Sequence, residues 1–125
     1  MSKIFLDSPI GSRKWGYGKE KKILPFDYGE FVSFINPADN MGWDLIIVPS
    51  QSGGKRTKRD HNYEIVGIVM VSTKDEIIKN KNDWNPKPGN HKLIVAKNGD
   101  YNKKDVDIIN NFFKNMWQFK DPKFF

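Results

Sequence analysis

Apolar positions in this chain gather in short runs separated by polar stretches rich in Gly, Pro and Asn. The strongest run, Leu45-Ile46-Ile47-Val48, is closed by Pro49 and preceded by the turn-prone Asn36-Pro37-Ala38-Asp39-Asn40. Branched apolar residues bounded by turn residues predict a buried strand over Trp43 to Val48, the best candidate for a central one. A looser apolar pattern over Glu30 to Ile35, the run Tyr63 to Val71 (YEIVGIVMV) and the run His91 to Ala96 (HKLIVA) predict three more strands, and Ile4-Phe5-Leu6 a short first one. Gly67, inside the third strong run, marks a bulge or a close backbone approach.

Periodicity changes only near the C-terminus. Val106, Ile109, Phe113 and Met116, joined by Ile108, Phe112 and Trp117, keep helical spacing and predict an amphipathic helix over Lys103 to Gln118. Asn102 is its expected N-cap, with Asp105 three residues on in the first turn. After Tyr63 to Val71, Ser72 or Thr73 either caps a short helix through Ile77-Ile78-Lys79, or the segment sets Asp75 or Glu76 at a strand end facing a site. The tail, Phe119 to Phe125, holds three Phe and either packs back or stays partly loose. Strands that follow one another without intervening helices predict an α+β fold: a small antiparallel OB-like β-barrel with the C-terminal helix packed against it. At 125 residues the chain reads as a single domain over 1–125, large enough to bury a core.

Composition narrows the picture. There is no Cys, which removes disulfides, zinc-thiolate sites and thiol nucleophiles and fits a reducing, cytoplasmic setting. No apolar run approaches the roughly 20 residues that span a bilayer, and the first residues carry no long apolar core, so neither a membrane partner nor a signal peptide is expected. The net charge of +6 favours anionic partners.

Candidate chemistry lies around the central strand. Asp39 and Asp44 flank a stretch that also holds Asn40 and Gly42. Such a turn beside a buried strand holds a hard cation in some proteins and merely turns the chain in others. A buried strand rarely carries Asp unpaired, so Asp44 is either an edge residue or a paired, functional one. Arg13-Lys14, beside Trp15 in a Gly-rich loop, form either a solvated turn or a phosphate-binding pair. Gln51 to Asp60 (QSGGKRTKRD) is a Gly-rich basic loop with Lys55, Arg56, Lys58 and Arg59, solvated or in contact with nucleic acid or a phosphate ligand. His61 beside it reads as a surface residue.

Taken in order, Pro9 to Ser12, Tyr28-Gly29, the Asp turn entering a strand that ends in Pro49, V-G-I-V-M, H-K-L-I-V-A and a helix with I-N-N-F-F resemble the soluble inorganic pyrophosphatases, in particular short phage-type versions. The likeness runs from Pro9 to about Lys120. It implies an OB-like barrel that hydrolyses pyrophosphate with Mg²⁺. The family signature D-G-D-x-x-D falls on Asp39 to Asp44, matching the first and last Asp and placing Met41 at the middle one, which in the family helps generate the attacking hydroxide. The resemblance implies Tyr28, Asp44 and Lys92 as catalytic residues, Asp39, Asp44 and Asp75 as Mg²⁺ ligands, and Arg13, Lys14, Lys92 and Lys120 as phosphate contacts. A further family Asp falls on Asn90, and a family Tyr-Lys pair on Met116-Trp117. Two expectations follow. The chain is a diverged Mg²⁺-dependent pyrophosphatase, or it keeps the fold without the chemistry and binds nucleic acid or another phosphate-bearing ligand through its basic surface. A homo-oligomer, with Phe124-Phe125 at its contact, stays open.

Overall fold

The computed structural model describes residues 3–13, 22–53, 58–59 (backbone only), 62–72, 89–114, 116 and 118–125. Its strands are β1 (Ile4–Ser8), β2 (Asp27–Asn36), β3 (Met41–Ile47), β4 (Lys58–Arg59), β5 (Tyr63–Val69), β6 (Lys92–Lys97) and β7 (Lys123–Phe124). They form one sheet in the order β4-β1-β2-β3-β6-β5-β7, so β3, the predicted central strand, lies in the middle. Among the described residues there is one α-helix, α1 (Lys103–Phe113).

Strand periodicity explains how the sheet makes a core on both faces. Successive side chains of a strand point to opposite sides. Leu45 and Ile47 of β3 and Leu93 and Val95 of β6 therefore join Ile4, Leu6, Phe31 and Tyr63 on one face. Ile46, Ile94 and Ala96 point the other way, where they meet Phe26, Val66, Ile109, Phe112 and Phe113 beneath α1. Burying one such aliphatic side chain contributes roughly 1.5–3 kcal/mol, so these two double-sided strands anchor the fold.

The expected barrel is corrected on two points. The sheet is mixed, because β3 and β6 run parallel while the other pairs are antiparallel. It is also open: β4 and β7 stand at its two ends. What remains of the expectation is α+β, a sheet with one helix packed on it. Absence of helices between strands did not distinguish these cases, because the chain runs from β3 through β4 and β5 before β6 lies down beside β3.

The helix starts as predicted. Asn102 Oδ1 accepts the Asp105 N–H at 2.9 Å while Asp105 Oδ2 accepts the Asn102 N–H at 3.1 Å, a reciprocal capping box. Asp105, only 1% exposed, also accepts from the Ser50 N–H at 2.8 Å and the Ser50 hydroxyl at 2.7 Å, tying the helix to the turn after β3. The helix ends earlier than predicted, at Phe113 rather than Gln118, because Lys114 leaves helical geometry (φ −58, ψ 131). Phe119 then stacks edge-on against Phe113, with ring centroids 5.4 Å apart. Met116 and Phe119 thus belong to a segment that folds back, not to more helix.

Gly67 is both things its position allowed. The β5–β6 register shifts between Ile65 and Gly67, and a Cβ at Gly67 would stand 2.5 Å from the Lys123 carbonyl oxygen. The missing side chain lets β7 close on β5. The tail accordingly packs back: Phe124 lies 5.6 Å from the Tyr101 ring, while Phe125 is exposed. The short helix suggested around Ile77 lies outside the described residues.

Candidate functional site

A cavity of about 330 Å³ opens where β1, β2 and β3 meet, lined by Asp7, Tyr28, Gly29, Glu30 and Asp44. Its residues are set by strand geometry. Tyr28 and Glu30, two apart on β2, share a face. Glu30 is the direct cross-strand partner of Asp44. The β1–β2 register shifts between Leu6 and Ser8, so Asp7 sits at a bulge, the usual device for re-aiming a side chain. Gly29 lets β1 come this close, since a Cβ there would lie 2.1 Å from the Phe5 carbonyl oxygen. Two larger depressions, of about 660 Å³ beside Asn110 and Asp121 and about 420 Å³ beside Ile10 and Ile108, hold none of the predicted site residues.

The parallel β3–β6 pairing sets Asp44 abreast of Lys92. Lys92 Nζ bonds to Asp44 Oδ2 in an ion pair and lies 5.7 Å from the centre of the Tyr28 ring. Lys92 is 7% exposed, so this cation is held inside by the Asp44 charge and the ring face. Tyr28 hydrogen-bonds to Asp44 as well. Burial, then the charge and hydrogen bond of Asp44, then Asp7 and Glu30, raise its pKa far above the usual phenol value. The phenol therefore stays protonated and donates to Asp44. The Glu30 carboxyl is pushed up by partial burial and then by the charges of Asp44, Asp7 and Asp39.

His91 precedes Lys92 at the start of β6. His91 Nδ1 accepts the Val71 N–H at 3.0 Å. Val71 pairs with Phe119, and the Lys120 N–H donates to the Met70 carbonyl at 2.8 Å. Burial, then the charges of Lys120 and Lys92, lower the His91 pKa.

Of the residues that the resemblance implied, the structure brings Tyr28, Asp44 and Lys92 together. Asp39 is not among the described lining residues; it sits in the β2–β3 turn, where its Oδ1 accepts the Met41 N–H at 3.0 Å. Met41 is 59% exposed at that turn. Arg13 is exposed, in an isolated bridge with Ile23. Lys120 lies within electrostatic reach of His91. Lys14 and Asp75 lie outside the described residues, as do Lys55, Arg56 and His61, and only the backbone of Lys58 and Arg59 is described. The nucleic-acid reading thus draws no support from the described residues. Sequence reasoning missed Asp7, Glu30 and His91. A signal existed for Glu30, two residues from Tyr28 on one strand, but not for Asp7, whose place depends on a bulge.

With this geometry the comparison with solved structures becomes informative. A crystal structure of inorganic pyrophosphatase from Ehrlichia chaffeensis superposes with a TM-score of 0.58, covering 98% of this chain and 84% of that chain at 12% identity. The fold is pyrophosphatase-like. No protein-family model and no curated protein matches the sequence. Among the described residues, no group of three or more His, Cys, Asp and Glu is disposed to hold a metal ion, and no helix is long and apolar enough to cross a membrane.

Proposed function

We propose that this chain is a pyrophosphatase-like hydrolase that cleaves pyrophosphate, with Mg²⁺, at the pocket of Asp7, Tyr28, Glu30 and Asp44. The observation that carries this reading is the joining of Tyr28, Asp44 and Lys92, remote in sequence, at a pocket crowded with carboxylates.

The donor set fits Mg²⁺ in type. Asp7, Glu30 and Asp44 offer hard oxygens; burial first, and then the neighbouring carboxylate charges, raise the Glu30 pKa, and a divalent cation would relieve that repulsion. Mg²⁺ keeps several waters and takes one or two protein carboxylates plus substrate phosphate oxygens, so a prebuilt cluster of three is not required. Asp44, with Glu30 or Asp7 beside it, would hold the ion, which supplies an acidified water and neutralises phosphate charge.

The chain's own residues divide the remaining work. Lys92 pairs with Asp44 and offers its remaining ammonium hydrogens to a phosphoryl oxygen. Tyr28 retains its proton at Oη and fixes the orientation of the Asp44 carboxylate. Met41 has no oxygen with which to take a proton from water. Glu30, with its raised proton affinity, is suited to that step.

The deciding experiment is phosphate release from pyrophosphate, with and without Mg²⁺, by the wild type and Asp44→Asn. Mg²⁺-dependent release that Asp44→Asn abolishes supports the reading. No release, or release that Asp44→Asn leaves unchanged, overturns it.

A further inference from the structure

The β2–β3 hairpin runs on past the point where β6 joins it. Its own pairing continues to Asn36 and Met41, whereas the pairing of β3 with β6 begins at Asp44 and Lys92. The chain entering β6 is nevertheless tied to the hairpin turn. Asn36, only 1% exposed, donates from Nδ2 to the Gly89 carbonyl at 3.1 Å. Its Oδ1 accepts the Ala38 N–H at 2.9 Å. Gly89 has a φ of +79, and a Cβ there would stand 3.0 Å from the Ala38 Cβ. A residue without a side chain lets the two segments close on each other at this point.

We propose that Asn36 is a positioning residue: it clamps the entry of β6 to the hairpin turn and so keeps Lys92 abreast of Asp44. The connection is a closed circuit. Asn36 stands opposite Met41 in the β2–β3 ladder. From Met41 the chain takes three steps along β3 to Asp44, and from Gly89 it takes three steps into β6 to Lys92. The Asn36–Gly89 hydrogen bond closes the circuit at one end, and the Lys92–Asp44 ion pair closes it at the other. An extended chain advances about 3.3 Å per residue. A slip of β6 by one residue would make the two spans unequal, and both closures could not survive it.

The two halves of the Asn36 amide do different work. The oxygen makes a local turn, as Asp or Ser at this position would also do. The nitrogen reaches a segment 53 residues away, and only an amide supplies both groups at once. At 1% exposure neither half has water as an alternative partner, so losing the Gly89 bond leaves a buried donor unused. The functional meaning of the clamp rests on the hydrolytic role proposed for Lys92, whereas the clamp itself is read without it.

The test compares Asn36→Ser with the wild type in the full chain. A Ser hydroxyl still accepts the Ala38 N–H but is too short to reach the Gly89 carbonyl. In ¹H–¹⁵N spectra of lysine-labelled protein, the Lys92 ammonium, which lies over the Tyr28 ring, should move toward the position of a solvated lysine. Mg²⁺-dependent release of phosphate from pyrophosphate should fall roughly tenfold, mainly in kcat, the value of about one hydrogen bond. In a Lys92→Met background the same substitution should cost nothing further, because Asn36 acts through Lys92. A Lys92 signal that stays in place overturns the inference, whatever the rate does. So does a rate loss that recurs in full in the Lys92→Met background. Should Asn36→Ser fail to fold, Gly89→Ala presses on the same junction from the other side and is read in the same way. A wild type that releases no phosphate sinks the hydrolytic reading alone; a Lys92 signal that Asn36→Ser moves in that protein still sustains the clamp.

Discussion

Two carboxylates on opposite sides of the same core make the instructive comparison. Asp105 is 1% exposed, its two oxygens taking hydrogens from Asn102, the Ser50 backbone and the Ser50 hydroxyl. Asp44 retains 24% side-chain exposure, shares Lys92 with the Tyr28 ring, and faces Glu30 across the ladder. The first has committed both oxygens, through three hydrogen bonds, to its own fold. The second stands among charges that its surroundings leave unbalanced. Burial alone would rank Asp105 the more important residue. The balance of partners is why the proposed chemistry is placed at Asp44 and not at Asp105.

Substitutions at the two positions should separate stability from activity. Asp105→Ala should have the largest effect on folding, about 3–4 kcal/mol in urea unfolding, because it removes the Asp105 half of the capping box and takes from the Ser50 N–H and hydroxyl their Asp105 acceptor. Its residual folded fraction should bind phosphate like the wild type; a loss of binding in excess of unfolding would erase the contrast. Asp44→Asn should destabilise less, about 2 kcal/mol, since Lys92 loses its counter-ion but Asp44 itself is partly solvated. The same change should lower pyrophosphate hydrolysis about a hundredfold. A double-mutant cycle with Lys92→Met sharpens this: a coupling below about 0.5 kcal/mol would mean that the ion pair contributes little.

Smaller effects follow elsewhere. Gly67→Ala should lose about 1–2 kcal/mol as its Cβ pushes β7 from β5, read as faster hydrogen exchange of Phe124 and Phe125 amides with β3 protection unchanged. The smallest concerns pH. A His held below its ordinary pKa takes up its proton more readily when unfolded, so its contribution is intact above the ordinary histidine value and fades as pH falls through it. Melting temperature should therefore drop more between about pH 7 and about pH 5 for wild type than for His91→Gln. Equal slopes would show that burial and the Lys120 and Lys92 charges do not disfavour the imidazolium.

Much of this was legible in the sequence, for reasons that also explain the failures. The run Leu45 to Val48 announced the central strand because every residue is apolar, as burial on both faces requires. Asn102 and Asp105 announced the helix start because capping is local chemistry. The end of α1 was not legible: Phe112, Phe113 and Met116 are buried whether the chain continues as helix or folds back, and the periodicity records only burial. Tyr28, Asp44 and Lys92 could be read as a set from a familiar order of short motifs. Asp7 and His91 could not, because a bulge in β1 and a backbone bond from Val71 place them, and neither leaves a mark on composition or spacing.

The parallel pairing of β3 with β6 carries a consequence for when the protein can act. Asp44 and Lys92 meet only after the chain between them has been laid out and β6 has inserted between β3 and β5. Pairings this distant in sequence form late, since loop closure is entropically opposed until other contacts hold the ends together. A sliding error of one residue would turn Leu93 and Ile94 toward the wrong faces and separate the two charges. An assay that follows Lys92 against the Tyr28 ring during refolding would thus also time completion of the sheet, and a partly folded chain would hold carboxylates without the cation that organises them.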